Sequence, residues 1–146
     1  MGLYGIGQAV PREEDPRLLM GKGRYVDDVT SVGQAQGFVL RSAFAHAVIR
    51  SINTDAAREV PGVLAVLTST ELKARGLGAQ LPDVPRQKSD GSPAHVTPQP
   101  LLADNRVRFV GQPIAFVVAE TLALAKDAAE LIEFDYDPLP AVVNVE

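Results

Sequence analysis

The sequence predicts an α+β domain, with a mixed β-sheet and two or three helices packed on one side. Strand-like segments outnumber helical ones, and their connections mix hairpin-like and crossover lengths. Two stretches, 63–75 and 114–132, each run strand, threonine cap, helix, a weak internal similarity short of a repeat. A length of 146 residues suits a single domain spanning residues 1–146.

Residues 1–34 are broken by glycines and by Pro11 and Pro16, with charges between them. Only Arg24-Tyr25-Val26 hints at a strand, so the segment reads as an extended N-terminal arm lying against something else. Gln36 to Arg41 places Phe38 and Leu40 on one face. Ala47 to Ile52 places Val48 and Ile52 together, with Ile49 opposite. Ser42-Ala43-Phe44-Ala45 joins them without glycine, which argues against a tight primed hairpin. Asn53-Thr54-Asp55 offers an N-cap for a helix of about two turns over 56–60, stopped by Pro61-Gly62. Val63 to Leu67 reads as a buried strand. Thr68-Ser69-Thr70-Glu71 matches a capping box opening a helix to Arg75, and Gly76 supplies its left-handed stop.

Residues 76–100 carry five prolines and three glycines without periodicity, and read as a long surface excursion, mobile in an isolated fragment. Val107-Arg108-Phe109 resumes strand-like alternation. Ile114 to Ala119 is a run of six apolar residues, the pattern of a strand covered on both faces. Thr121 caps a helix over 122–132, with Leu122, Ala125, Ala129 and Ile132 as its apolar stripe and Lys126, Asp127, Glu130 and Glu133 toward water. Glu133-Phe134-Asp135-Tyr136-Asp137 alternates strictly, a half-buried strand ended by Pro138. Val142 to Val145 suggests a last strand whose truncated edge would favour self-association into a homo-oligomer.

Composition excludes several functions. Hydrophobic residues form 46% and charged residues 22%, enough for a core and unlike a disordered tail. No apolar stretch reaches the roughly 18 residues of a membrane span. The start, Met1-Gly2-Leu3-Tyr4-Gly5, lacks a signal peptide's basic segment and apolar run, so the expectation is a soluble, cytoplasmic protein. Net charge is −4 with no basic stripe among aromatics, which leaves nucleic-acid binding without a footprint. The absence of cysteine removes disulfides, iron–sulfur ligation and thiolate zinc sites together.

The remaining chemical motifs fail individually. Gly5-Ile6-Gly7-Gln8-Ala9-Val10 lacks the third glycine and preceding strand of a dinucleotide fingerprint. Ser42 and His46 lack a third orienting group and read as a polar link between strands. Glu13-Glu14-Asp15 and Asp27-Asp28 alternate with Arg12, Arg17, Lys22 and Arg24, a charge mosaic rather than an acid–base pair. Tyr25 and Tyr136 read as half-buried strand aromatics. No catalytic, cofactor-binding or metal residue is assigned. The docking candidates are Arg12, Glu14, Asp15, Arg17, Gly21, Gly23, Tyr25 and Asp28, in an arm too poor in apolar groups to hold itself in place.

Several phrases carry a resemblance. Arg12-x-Glu14-Asp15-Pro16-Arg17-Leu18-Leu19-x-Gly21-Lys22-Gly23-Arg24-Tyr25-Val26-Asp27-Asp28 is similar to the opening signature of molybdenum hydroxylase large subunits. Arg41-Ser42-x-x-Ala45-His46-Ala47-x-Ile49, Pro61-Gly62-Val63-x-Ala65-Val66-Leu67-Thr68 and Val107 to Pro113 follow in that family's order. Val117 to Glu130 and Asp135 to Val142 complete it. Together they resemble the N-terminal α/β-hammerhead domain of the xanthine dehydrogenase, aldehyde oxidase and carbon monoxide dehydrogenase family. The resemblance implies a whole enzyme oxidising a purine, aldehyde, heteroaromatic or carbon monoxide. Its implied cofactors are molybdopterin-bound molybdenum, 2Fe–2S clusters and commonly FAD. Its implied partners are the remainder of the large subunit, an iron–sulfur subunit and a flavin subunit. The family's cofactor loops and glutamate base match nothing here, so the fragment alone is expected to be inactive. Ala43-Phe44 stands where many relatives have Pro-His, which weakens assignment to one substrate branch. The alternative is a stand-alone assembly or binding module. A biotinyl- or lipoyl-like hammerhead would need a lysine on a tight hairpin, beside methionines in the biotinyl case. Methionine stands only at 1 and 20, and no lysine sits in such a turn.

Overall fold

The computed structural model describes residues 7, 12–84, 86–142 and 144. The chain divides into two compact units, Met1–Gln34 and Ala35–Glu146.

In the first unit the expectation of an extended arm needs correction. Helix α1 spans Asp15–Leu19, with Pro16 in its first turn, where a missing amide costs nothing. It ends in a Schellman motif: the Gly21 amide donates to Leu18 O at 3.0 Å and the Lys22 amide to Arg17 O at 3.0 Å, with Gly21 at φ +66°. Arg24 and Tyr25 pair with no strand, and Val26–Asp28 forms a 3-10 turn instead. The cause is local: the Asp28 carboxylate accepts the Tyr25 amide at 2.9 Å, offering the backbone a turn in place of a ladder.

The second unit holds two three-stranded sheets whose pairings are antiparallel. One is ordered β1-β5-β3, from Gln36–Arg41, Pro113–Ala119 and Val63–Leu67. The other is ordered β4-β2-β6, from Arg106–Val107, Ala47–Asn53 and Glu133–Pro138. Strands β1 and β2 therefore enter different sheets, consistent with a glycine-free link. Three helices accompany them: α2 (Asp55–Arg58), α3 (Ser69–Ala74) and α4 (Leu122–Glu130).

Helix α4 lies on one face of the first sheet through alanines. Ala125, Ala128 and Ala129 pack with Ala115, Val117, Ala119, Val66, Ala57 and Ile132 in the main core. The expected stripe needs one exchange, because Leu122 is 44% exposed while Ala128 is fully buried. A second cluster joins Ala47, Ile49, Ala103, Val107 and Ile114, and Ile52 and Phe134 pack against both clusters. Here too a face is corrected. The β2–β6 register shifts between Ile49 and Ser51, and this bulge turns Ile49 and Ile52 toward the same core.

Helix α2 forms a single turn rather than two. Val60 precedes Pro61, whose ring disfavours α backbone at the residue before it. Thr54, at the N-cap, accepts no amide; its hydroxyl takes the Arg58 Nε at 2.9 Å. The Thr68 capping box is present: the Thr68 amide donates to Glu71 at 2.8 Å, and the Thr68 hydroxyl accepts the Thr70 amide at 3.3 Å. Residues 76–100 contain only isolated bridges, Gln80 with Gln99 and Gln87 with Pro93, with residue 85 outside the described set. The strand expected at 107–109 is Arg106–Val107. The suggested strand at 142–145 falls partly outside the described residues, and Val142 and Asn144 are not in a strand.

Candidate docking site

The eight docking candidates separate by what their atoms do. The Arg17 guanidinium pairs with Glu14 at 2.7 Å, with both side chains at least half exposed, so the pair contributes little to stability. Gly21 supplies the positive φ that ends α1. Gly23 allows a close approach: a Cβ there would stand 2.9 Å from Leu18 Cδ2 and 3.5 Å from Tyr25 Cε2. Asp28 holds the 3-10 turn through the Tyr25 amide. Five of the eight (Glu14, Arg17, Gly21, Gly23 and Asp28) are thus committed to local geometry, while Arg12 is exposed and Asp15 half-buried in the first turn of α1. Tyr25 is 68% exposed and outside any strand, which corrects its expected half-buried placement.

What the charge mosaic concealed is apolar. Leu19, Met20, Val26 and Val32 are 86%, 63%, 88% and 109% exposed, and no described residue of this unit is buried. A signal existed in the sequence, since Leu18-Leu19-Met20 is an uninterrupted apolar triplet inside a charged segment. Such a segment builds no core of its own among the described residues.

Several clefts open on the second unit. A groove of about 870 Å³ runs beneath residues 95–101, against Arg108, Phe109 and Gln112. A cleft of about 500 Å³ is lined by His46, Arg106, Arg108, Phe109 and Val110. A shallower hollow of about 250 Å³ lies on the first sheet over Val39, Leu67 and Phe116. The turn joining β4 and β5 is pinned firmly: the buried Gln112 accepts the Arg108 amide at 2.7 Å, and its carbonyl accepts the Ser42 amide at 2.9 Å.

Ser42 and His46 are each engaged by backbone groups. The Ser42 hydroxyl is engaged with the Phe44 backbone, donating to its carbonyl and accepting its amide at 3.0 Å each. His46 Nδ1 lies 2.7 Å from Pro140 O. Tyr136 is half-buried on β6 as expected, its ring 4.7 Å from Phe44 and 5.7 Å from Phe134, and burial pushes its hydroxyl pKa up. Among the described residues no three His, Cys, Asp or Glu side chains converge as metal ligands, and no buried side-chain polar atom is left without a partner. The Gly5–Val10 stretch, apart from Gly7, lies outside the described residues. Among those described, no helix is long and apolar enough to cross a membrane.

The family described as "Aldehyde oxidase and xanthine dehydrogenase, a/b hammerhead domain" matches residues 20–140. The chain belongs to that family. Its hammerhead domain is 44% identical, over 97% of this chain, to the carbon monoxide dehydrogenase large chain of Afipia carboxidovorans. It is 40% identical over 95% to the nicotine 6-hydroxylase large subunit of Paenarthrobacter nicotinovorans. Among solved structures, quinoline 2-oxidoreductase from Pseudomonas putida 86 superposes with a TM-score of 0.84 at 41% identity, over 96% of this chain and 17% of that one. This hammerhead chain spans only 16% of the length of those two large subunits. The first two relatives are a dehydrogenase large chain and a hydroxylase large subunit, and the chain corresponds to one domain of them.

Proposed function

We propose that this hammerhead domain is a non-catalytic docking piece of a molybdenum hydroxylase large subunit. The whole enzyme would oxidise carbon monoxide, a heteroaromatic such as a nicotine derivative, an aldehyde or a purine, in the cytoplasm. The observation that carries this is coverage: close likeness along almost all of this chain falls on one-sixth of an oxidoreductase subunit. Molybdopterin, 2Fe–2S and FAD sites would then lie on the rest of the large subunit and on iron–sulfur and flavin subunits.

Within that reading the 12–34 unit is the candidate contact. Its exposed Leu19, Met20 and Val26 supply apolar anchors, and Arg12, Arg17 and Glu14 a charged rim. The test is assembly of the complete enzyme with Leu19→Asp and Val26→Asp, compared with Arg12→Glu. Loss of subunit assembly with the apolar changes supports the reading, and unchanged assembly and turnover in all three counts against it. Asp28 is a poor test position, since its carboxylate holds the local turn. Molybdenum retention or substrate oxidation by the purified 146-residue chain would overturn the non-catalytic role.

A further inference from the structure

The first sheet has a second face. Strand register aligns Gly37, Val118 and Ala65 in one cross-strand row, and Val39, Phe116 and Leu67 in the next. These rows alternate with the Phe38–Val117–Val66 row beneath α4, so they point away from α4. All except Gly37 are half-buried, and among the described residues of 35–142 only Leu72 of α3 and Leu101 and Leu102 line this face from other elements. Leu72 of α3 and Leu101 and Leu102 rim the hollow, leaving its floor open.

An antiparallel sheet with one face in water alternates apolar and polar residues; a sheet covered on both faces does not. This chain contains both kinds. Strand β6 sends Phe134 and Tyr136 inward and alternates them with Glu133, Asp135 and Asp137. Strands β3 and β5 carry no charged or hydrogen-bonding side chain on either face, and in β1 the outer face holds Gly37 and Val39. The hollow has one charged lining residue, Arg41, whose guanidinium is turned to the Gly111 carbonyl at 2.9 Å. Gly37 adds a further sign. A Cβ at this position would stand 2.5 Å from Phe116 Cζ, so its absence lets the ring lie down across β1 and keeps the face low. A face this poor in charge is built for permanent desolvation, as in the core of an obligate contact.

The geometry points to this outer face of β1-β5-β3 as the seat of an apolar element from another domain of the same large-subunit polypeptide. This rests on the proposed function above. The occupant follows from proportion and charge. The solved relative of TM-score 0.84 devotes 83% of its chain to other domains (100% less the 17% covered), so most of such a polypeptide is available to pack here. A charge-poor face meets a covalently tethered element at high effective concentration and needs no electrostatic steering to find it.

The test uses the full-length large subunit expressed with its partner subunits. Its native mass is measured first: a native product of only 146 residues overturns the proposed function itself. With a longer subunit in hand, p-benzoylphenylalanine is incorporated at Val39, irradiated, and the adduct peptides are mapped. Cross-links to the same polypeptide beyond residue 146 are the expected result. Adducts with residues 12–34, with a second copy, with another subunit or with solvent alone overturn the docking assignment while leaving the proposed function standing. Should the substitution impair folding, hydroxyl-radical labelling of the unaltered Phe116 replaces it. Labelling severalfold lower in the isolated large subunit than in the 146-residue chain is expected. Protection that arises only when other subunits are added overturns the inference.

Discussion

Gly62→Ala is the sharpest probe of how the first sheet is closed against α4. Gly62 sits at φ +88°, in the turn between α2 and β3, and its carbonyl accepts the Glu120 amide at 2.9 Å. A Cβ there would meet Leu124 Cδ1 at 2.9 Å and Glu120 Oε2 at 3.5 Å. The left-handed backbone alone costs a non-glycine residue roughly 1–2 kcal/mol. Moving Leu124, which packs against the main core, adds to this at about the scale of an off-rotamer side chain, ~1 kcal/mol. A loss of about 2–3 kcal/mol lowers the melting midpoint by roughly 4–24 °C, the span set by small and medium domains. Gly111→Ala is the control: Gly111 has φ +85°, but a Cβ there meets nothing within 4 Å, so it reports the backbone cost alone. Thermal unfolding by circular dichroism of both variants, with the Gly62→Ala/Leu124→Ala double variant, isolates the contact. If Gly62→Ala costs no more than Gly111→Ala and the cycle is additive, the Gly62–Leu124 closure contributes nothing and the reasoning fails.

Acid should weaken the fold through two carboxylates. For Glu71, burial raises the pKa but is outweighed by bonds from the Thr68 side chain and backbone, leaving it below its ordinary value. Asp104 is lowered chiefly by the Lys73 ammonium at 2.6 Å. Their contribution is present above the ordinary carboxylate pKa and is lost as pH falls through the lowered one, so urea midpoints should drop in that window and drop less in Glu71→Gln with Asp104→Asn. Thr121→Ala removes the hydroxyl that accepts the Leu124 amide at 3.2 Å and should cost about 1 kcal/mol in the same measurement. Leu122→Ala should stay within about 0.5 kcal/mol, as for exposed positions, whereas Ala128→Leu should cost about 1–3 kcal/mol by overpacking the face on the sheet; the reverse order would refute the helix orientation.

The parts of the fold that were legible in the sequence are those decided locally. The limits of β1 followed from alternation that sets Phe38 and Leu40 on one face, those of β3 from an apolar run after Pro61-Gly62, and the start of α3 from a threonine and a glutamate three apart. The misread parts depend on distant partners. Nothing in Ala47–Ile52 announces that Arg50 will be an extra residue opposite β6, and that insertion reverses the face of Ile49. Leu122 outranks Ala128 on hydrophobicity, but the sheet beneath α4 admits only small side chains at close range, so alanine wins the buried position. In the first unit the charges drew attention away from Leu18-Leu19-Met20. Its helix was missed because five residues closed by a glycine stop are too short for periodicity to register.

The two surfaces proposed for docking differ in physics, and the difference sorts their partners. The 12–34 unit mixes exposed apolar groups with an Arg17–Glu14 pair and other exposed charged side chains, and its five-residue helix buries nothing, too short to be stable alone. Contacts of that kind are salt-sensitive and suit a partner that arrives as a separate folded body. The outer sheet face has no such charges and is already rigid, held by central strand β5 with both neighbours paired along its length. A rigid, charge-poor face left bare would aggregate before a separate partner found it, so it requires an occupant present from synthesis. Raising salt should therefore release subunits bound through the arm while leaving Phe116 protected in the large subunit. Loss of Phe116 protection at the same salt concentration would place both surfaces in one interface and refute the division.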